Sequence, residues 1–253
     1  MDKLSAKGRI RKARTEDIEC IHEWLIQQQE ENVHGSFLCN WNLIRDYYNK
    51  DELVVFIESK SAKAVAYQFG SLINPGILEV RNDMRGQGIG KRLVEYQIKE
   101  ARREGLCILY IRCKPSSSIP FWKKMGFELI DGSENYAYQI LKYELLIPDG
   151  GQVVEINIGL YPKSRQWDDT TQPAKRIKQN GTMLDDKVVH LSKRICIPNI
   201  QGMWDGDVVV EIEIDGKLIY RDKARYKNAQ KLGVKNIING YSIDRIYLSE
   251  KTV

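Results

Sequence analysis

The chain has 253 residues, of which 42% are hydrophobic and 29% are charged, and its net charge is +5. This composition is that of a folded protein of one or two domains, and it excludes a disordered or fibrous chain. The surplus of basic residues is spread over both halves instead of forming a block, which does not favour a nucleic-acid partner.

The first part of the chain alternates between strand and helix patterns. Residues 10–13 predict a short strand, and Thr15, followed by acidic residues, predicts the capped start of a helix that runs to about Gln29. The elements predicted next are a short helix at 41–48 and strands at 53–57 and 62–69.

An apolar strand that begins at Leu78 leads into the sequence Arg85-Gly86-Gln87-Gly88-Ile89-Gly90, and an amphipathic helix pattern follows. Glycines at alternate positions favour a tight turn and close approach of the backbone to a ligand. Free amide groups and the helix dipole at such a helix start favour phosphate. The spacing fits neither a P-loop nor a dinucleotide fingerprint, because Arg92 follows Gly90-Lys91 and the third fingerprint glycine would fall on Lys91.

The chain continues with a predicted strand at 106–111 and a helix that ends near Gly126. Arg85, Gly88 and Gly90 fill the pattern Q/R-x-x-G-x-G/A, and Phe121-Trp122-Lys123-Lys124-Met125-Gly126-Phe127 is similar to F-Y-x-x-x-G-F. With these motifs in this order, residues 8–147 resemble the GNAT superfamily of acyl-CoA-dependent N-acetyltransferases. The resemblance implies an α/β (α+β) fold in which a mixed sheet is flanked by helices, closed here by predicted strands at 127–130 and 138–145.

The resemblance also implies that acetyl-CoA is the co-substrate. The loop amides would cradle its pyrophosphate, the central strand would lie beside its pantetheine arm, and a main-chain N–H near Val80 would polarise the thioester oxygen. The residues implied to bind the cofactor are Leu78, Glu79, Val80, Arg85, Gly86, Gln87, Gly88, Ile89, Gly90 and Lys91.

The sequence departs from the family in its proton donor. The usual Tyr of F-Y-x-x-x-G-F is Trp122 here, and an indole N–H donates a hydrogen bond but no proton at neutral pH. The family's Asn seven residues earlier is Pro115, so Ser116 or Ser117 would have to supply that hydrogen bond. Candidate acids by location, each of which also fits ordinary packing, are Tyr110, Tyr136 and Tyr138.

Glu79 is the best candidate for the base that takes the proton of the amine. It lies on the central strand beside the implied thioester, where burial would raise its pKa. An exposed strand carboxylate or a partner for a cationic substrate is the competing interpretation. His34 lies in the early segment that often shapes the acceptor site in this family, and a surface imidazole is its simpler interpretation.

Pro148-Asp149-Gly150-Gly151 predicts a boundary between a first domain, 1–147, and a second domain, 148–253. Apolar and polar residues alternate at 154–160 and 208–214, and Asp215-Gly216 predicts a hairpin turn. We expect a small all-β, sandwich-like domain that resembles no family we recognise. Because exposed sheet edges need protection, a homo-oligomer is also predicted.

Five scattered cysteines without a C-x-x-C pair predict reduced thiols and a cytoplasmic location. Three histidines far apart predict no metal site, and no apolar run has the length of a membrane span. The function predicted is transfer of an acetyl group from acetyl-CoA to a primary amine of a small molecule or protein by direct attack. The alternative is a catalytically weak acyl-CoA-binding module whose β domain mediates protein or ligand interaction.

Overall fold

The structure is a computed structural model that describes residues 5–165 and 172–248. Its contacts divide the chain into two compact units. The first comprises the residues up to Gly105, Tyr110–Glu128 and Glu134–Ala137, and the second comprises Leu106–Leu109, Leu129–Ser133 and the residues from Tyr138 onward. The boundary between residues 147 and 148 stays a prediction.

The described residues alternate between helix and strand in the first half and form mainly strands in the second. The helices are α1 (Thr15–Glu30), α2 (Trp41–Asn49), α3 (Ile89–Arg103), α4 (Ile119–Lys124) and α5 (Lys227–Lys231). The strands are β1 (Gly8–Lys12), β2 (Val54–Glu58), β3 (Ala64–Phe69), β4 (Ile77–Val80), β5 (Ile108–Arg112), β6 (Glu128–Leu129), β7 (Tyr136–Ile140), β8 (Gln152–Pro162), β9 (Lys175–Met183), β10 (Val188–Pro198), β11 (Val208–Ile214), β12 (Lys217–Lys223), β13 (Lys235–Ile237) and β14 (Gly240–Tyr247).

The first unit is built on an antiparallel sheet in the order β1-β2-β3-β4. Alternate residues of β2 and β3 point to opposite faces, so one face packs against α1 and α2 and the other against α3. A parallel bridge joins Ile73, ahead of β4, to Tyr110 on β5, which belongs to a three-stranded sheet in the order β5-β7-β6. The predicted mixed sheet flanked by helices is therefore confirmed.

The start of α1 differs from the sequence prediction in its capping residue. Thr15 is the first helical residue, and the capping position is occupied by Arg14. The buried carboxylate of Asp17 accepts a hydrogen bond from the backbone N–H of Arg14 at 2.7 Å and one from Arg11 Nη2 at 3.1 Å. The prediction of Thr15 as the cap was wrong because Asp17, with a cationic partner on β1, satisfies this end of the helix instead.

Arg92 on α3 ties the amino-terminal segment to the sheet. Its Nη1 donates a hydrogen bond to the carbonyl oxygen of Ala6 at 3.0 Å, and its Nη2 donates one to that of Gly8 at 2.7 Å. The guanidinium also lies over the ring of Phe56, with 4.7 Å between its carbon and the ring centroid. Two backbone acceptors, one just ahead of β1 and one at its first residue, are thus satisfied by one side chain.

Replacing Arg92 with Met is expected to lower the free energy of unfolding by about 2–3 kcal/mol, because two charge-assisted hydrogen bonds and the contact with the ring are lost. Lys91→Met is the matched control, since the exposed Lys91 makes a weak ion pair, at 3.7 Å, with Glu95 on the same helix. That pair is worth about 0.5 kcal/mol or less. Urea unfolding of both variants measures the difference, and equal losses would contradict the anchoring role of Arg92.

The second unit contains a single antiparallel sheet of seven strands in the order β12-β11-β8-β9-β10-β14-β13. Side chains from β8, β10, β11 and β14 form one buried cluster, so the sheet curls around its own core. Asp215 and Gly216 have φ angles of 49° and 77°, as a tight hairpin turn between β11 and β12 requires. The predicted all-β, sandwich-like region and its hairpin are therefore confirmed, with the strands joined in one continuous ladder.

Candidate functional site

A cavity of about 860 Å³ opens in the first unit, which is within the usual size range of ligand sites. It is lined by the connection from α1 to α2, the ends of β3 and β4, the glycine loop and the connection from β5 to α4. Glu79 is the only carboxylate among the described lining residues. The cationic side chains that line the cavity are Arg85, Lys91, Arg112 and Lys114. The excess of positive charge favours an anionic ligand.

The glycine loop leaves the start of α3 uncovered. Gly86 and Gly88 have φ angles of 77° and 79°, which only glycine adopts without strain, and Gly88 directly precedes the helix. A Cβ atom added to Gly88 would meet only Ser5 Oγ, at 3.9 Å, so the space beside it is open. No side chain caps the helix by a hydrogen bond. The first amide groups of α3 are therefore accessible from the cavity side.

β4 has one free edge. It is the last strand in the order of its sheet, and Arg81, just after it, donates its N–H to the carbonyl of Val65 at 2.9 Å. Because hydrogen-bonded pairs alternate along an antiparallel ladder, Glu79 is the next residue to bond to β3. Leu78 and Val80 consequently direct their backbone N–H and C=O groups to the free edge, next to the cavity they line, where the carbonyl of Val80 accepts a hydrogen bond from Nε of Arg85 at 3.0 Å.

Strand β5 is hydrogen-bonded to the segment ahead of β4. Asn74 donates its N–H to the carbonyl of Tyr110 at 2.8 Å, and Tyr110 donates its N–H to the carbonyl of Leu72 at 3.0 Å. β4 and β5 are not neighbours in any sheet of the described residues. The gap beyond the bridge therefore leaves the free edge of β4 open to an extended ligand.

Glu79 is 3% exposed, and its carboxylate is held by three parts of the chain. Its Oε2 accepts hydrogen bonds from the hydroxyl of Tyr67 on β3 at 2.9 Å and from the backbone N–H of Phe37 at 3.2 Å. Its Oε1 accepts one from Nε2 of Gln28 on α1 at 3.1 Å. A carboxylate offers about four acceptor positions, so three are occupied and one remains.

Burial raises the pKa of Glu79 above its usual value, while the hydrogen bonds from Tyr67, Phe37 and Gln28 and the charge of Arg85 act in the opposite direction. Burial, followed by the neighbouring Glu79 carboxylate, holds the pKa of Tyr67 well above its usual value. Tyr67 is therefore a neutral hydrogen-bond donor at physiological pH. A carboxylate with a raised pKa at the wall of a cavity has the properties of a general base.

Most of the residues implied by the resemblance lie together in this cavity. Gln87 is not among the described lining residues, because its carbonyl accepts the N–H of Ala6 at 3.2 Å and its side chain turns toward Asp83 and Met84. The residues that do line the cavity are Leu78, Glu79, Val80, Arg85, Gly86, Gly88, Ile89, Gly90 and Lys91. Their role in binding a cofactor stays a prediction.

The position of the family's usual acid lies in the same cavity. Trp122 lines it and packs edge-on against Phe121 and Phe127, with ring centroids 5.1 and 5.3 Å away. Ser117 and Ser118 also line it, and Ser118 Oγ is buried without a hydrogen-bond partner among the described residues. Serine at these positions can donate a hydrogen bond into the cavity.

The tyrosines proposed as acids lie elsewhere. Tyr110 stacks on Tyr136 with 5.5 Å between ring centroids, and Tyr138 belongs to the second unit. Neither Tyr110 nor Tyr138 is among the described residues that line the cavity. Their catalytic roles stay predictions, on which the proposal below does not depend.

Sequence reasoning missed Gln28 and Tyr67, the two side chains that hold Glu79. A signal for Gln28 was present, because it occupies the same helical stripe as Ile21, Trp24 and Leu25, where an apolar residue is expected. A polar residue in such a stripe needs a buried partner. Tyr67 gave no comparable signal, since a tyrosine in an apolar strand is ordinary packing.

Within residues 5–165 and 172–248, no group of three or more His, Cys, Asp or Glu side chains is arranged to hold a metal ion. Over the same ranges, no helix has both the length and the apolar character that crossing a bilayer requires.

Residues 47–129 match the family model of the acetyltransferase (GNAT) domain, a segment from α2 to β6 that covers about a third of the chain. The segment contains β3, β4, the glycine loop and α4, which together form most of the cavity wall. The resemblance inferred from the motifs is confirmed for this segment, which matches a GNAT acetyltransferase domain.

Solved structures with a similar chain fold include the following three. A GNAT acetyltransferase of Staphylococcus aureus Mu50 shares 18% identity and a TM-score of 0.42, over 53% of this chain and 99% of that chain. The GNAT family N-acetyltransferase YhbS of Escherichia coli, in complex with CoA, has 16% sequence identity and a TM-score of 0.40, and the match covers 54% of this chain and 82% of that chain. Rv2747 of Mycobacterium tuberculosis, in complex with CoA and NLQ, has 17% sequence identity and a TM-score of 0.40, and the match covers 53% of this chain and 99% of that chain. No curated protein matches the chain.

Proposed function

We propose that the protein is an N-acetyltransferase that moves the acetyl group of acetyl-CoA to a primary amine of a small molecule or protein by direct attack. One observation carries the proposal: the free edge of β4, the uncovered start of α3 and the buried carboxylate of Glu79 border the same cavity. These features offer a place for an extended arm, a diphosphate and a base within one GNAT domain.

In this proposal the diphosphate of CoA lies at the glycine loop and the first amides of α3, where the helix dipole favours negative charge. The pantetheine arm runs along the free edge of β4 and exchanges hydrogen bonds with the backbone of Leu78 and Val80, as an added strand would. The N–H of Val80 then points at the thioester oxygen and stabilises the negative charge that develops there.

Glu79 accepts a proton from the incoming ammonium group, directly or through a water molecule, at its remaining acceptor position. The neutral amine nitrogen attacks the thioester carbon and a C–N bond forms. The C–S bond then breaks to release CoA thiolate, and the nitrogen gives its second proton to water as the amide forms. Because Trp122 releases no proton at neutral pH, the thiolate takes its proton from water, with hydrogen-bond support from Ser117 or Ser118.

A second candidate function is an acyl-CoA-binding module with weak catalysis, whose all-β unit mediates an interaction with protein or ligand. Trp122 is the observation that favours it, because a buried indole packed between two phenylalanines occupies the usual position of the proton donor. This candidate predicts the same cofactor site as the first, so binding alone does not separate the two.

Titration calorimetry with CoA and acetyl-CoA, followed by a thiol-release assay over a panel of primary amines, tests the proposal. We expect both cofactors to bind and at least one amine to accelerate thiol release. Binding without turnover of any amine would support the second candidate. No heat with either cofactor would overturn both.

The remaining parts of the proposal are a cytoplasmic location, the absence of a metal cofactor and a homo-oligomeric state. The oligomeric state is measured by light scattering, where a monomeric mass would contradict it.

A further inference from the structure

Gln28 connects the carboxylate of Glu79 to the segment that follows β4. It lies in the last turns of α1 with 3% of its surface exposed. Its Nε2 donates to Oε1 of Glu79 at 3.1 Å, and its Oε1 accepts the backbone N–H of Asn82 at 2.7 Å. One buried side chain therefore joins α1 to two points on either side of the end of β4.

The orientation of this amide is set by its partners. The N–H of Asn82 can only donate, so it requires the carbonyl oxygen of Gln28, and the amide hydrogens of Gln28 must then face Glu79. A flipped amide would place two donors against each other at Asn82 and leave the carboxylate facing an oxygen. Gln28 therefore acts on Glu79 only as a donor.

The donors around Glu79 also determine which way its carboxylate faces. Tyr67 and Phe37 occupy Oε2, and Gln28 occupies one position of Oε1. The remaining acceptor position is left for the cavity, which Glu79 lines and which does not include Gln28 among its described lining residues.

The backbone of Gln28 also helps to position a group that holds Glu79. Its carbonyl accepts the N–H of Val33 at 2.8 Å in the turn that ends α1, and this turn leads to Phe37, whose N–H bonds to the carboxylate. Loss of order at Gln28 would therefore affect two of the three groups that hold Glu79.

We propose that Gln28 is a positioning residue that orients the carboxylate of Glu79 toward the cavity, an inference that rests on the proposed function in which Glu79 is the base. Gln28 touches neither cofactor nor amine in this scheme. It acts through Glu79 alone, by fixing the direction of its remaining acceptor position and by stabilising its charged form.

Several charged or titratable groups face the same cluster. Tyr67 donates to Glu79 from β3, and Arg85 lowers the pKa of Glu79 through its charge from the glycine loop. Cys39 acts on Tyr67 from the segment ahead of α2, and His34 lines the same cavity. Since Gln28 donates to the charged form of Glu79, its removal should raise the pKa of that carboxyl further.

Gln28→Met tests this role, because methionine fills similar space without a donor or acceptor. Carbon-13 NMR of the glutamate side-chain carboxyls, with the Glu79 signal assigned by its loss in Glu79→Gln, follows the titration of Glu79 with or without turnover. We expect its midpoint to move to higher pH in Gln28→Met and to stay in place in Gln29→Met, the same change at the exposed neighbouring position. An unchanged midpoint in Gln28→Met would overturn the inference.

Steady-state kinetics supply a second readout. We expect kcat/KM to fall by about 10- to 100-fold in Gln28→Met, the effect of losing one hydrogen bond to a charged group. The rise of kcat/KM with pH should shift to higher pH, while the affinity for CoA stays unchanged. A loss of activity without either pH shift would indicate a merely structural role and overturn the inference.

A second variant covers the case in which Gln28→Met does not fold. Gln28→Glu keeps the size of the side chain and an acceptor for Asn82, and it places a second carboxyl against Glu79. We expect the pair to titrate in two separated steps, one of them above the wild-type midpoint. Independent titration of the two carboxyls would contradict the contact. Absence of turnover in the wild-type protein would refute the proposed function, while the NMR result would still decide whether Gln28 controls Glu79.

Discussion

Replacing Gly88 with glutamate is expected to weaken the binding of CoA by roughly 100-fold or more, because a carboxylate would stand where the diphosphate has to lie and like charges in contact cost several kcal/mol. The open space beside Gly88 accommodates the new side chain without a clash. The fold should therefore survive, and titration calorimetry with CoA measures the loss directly.

Gly88 has a left-handed backbone, so any side chain introduced there causes strain, and this strain has to be distinguished from the effect of the new charge. Gly105, at the other end of α3, has a φ angle of 74° and also has open space around it. Gly105→Glu therefore introduces the same charge and a similar backbone strain of about 1 kcal/mol, away from the cavity. Gly88→Ala adds the strain without the charge. Equal CoA affinity in Gly88→Glu and Gly105→Glu would contradict the assignment of the glycine loop.

Replacing Glu79 with Gln is expected to reduce kcat/KM by about 10²- to 10⁴-fold, the usual contribution of a general base, while CoA still binds. The same change should lower the free energy of unfolding by about 1–3 kcal/mol. An amide at position 79 presents hydrogens on one side, where they meet the donors of Gln28 or of Phe37. Kinetics and urea unfolding at neutral pH measure the two effects separately.

An exchange of the two side chains separates catalysis from stability. In Glu79→Gln combined with Gln28→Glu, the amide at position 79 donates to the new carboxylate at position 28, which also accepts the N–H of Asn82. Every hydrogen bond of the cluster is then satisfied again, so we expect stability to recover. Activity should stay low, because the charge no longer borders the cavity. Recovery of activity in the exchanged protein would show that Glu79 is not the base.

The position of the glycine loop at the start of α3 and that of Glu79 on the strand before it could be predicted from sequence, because local chemistry determines them. Three alternate glycines before an amphipathic helix have few structural interpretations, and the motif order narrowed them to one family. The partners of Glu79 could not be found in the same way. Gln28 and Tyr67 lie 51 and 12 residues away along the chain, and only the packing of α1 on the sheet brings them to the carboxylate.

In the second unit, strands could likewise be predicted where the local sequence determines them, but not where pairing with other strands does. Alternating apolar residues predicted β8 and β11 closely, because apolar side chains at every second position are typical of a strand, although β11 is buried at nearly every position. β9 was missed, since most of its residues are polar and at least partly exposed and its place between β8 and β10 comes from ladder pairing. The strand predicted at 138–145 spans Tyr136–Ile140 in the structure.

Side chains and backbone groups alternate in direction along β4, so the direction of the Val80 amide and that of the Glu79 side chain depend on each other. Val80 offers its amide to the free edge because it is even-numbered in this register, and Glu79 points its side chain toward α1 because it is odd-numbered. A redesign that moves the carboxylate by one residue would turn it to the opposite face of the sheet. Relocating the proposed proton acceptor along this strand therefore requires steps of two, and a single inserted residue would separate it from the amide that is proposed to face the thioester.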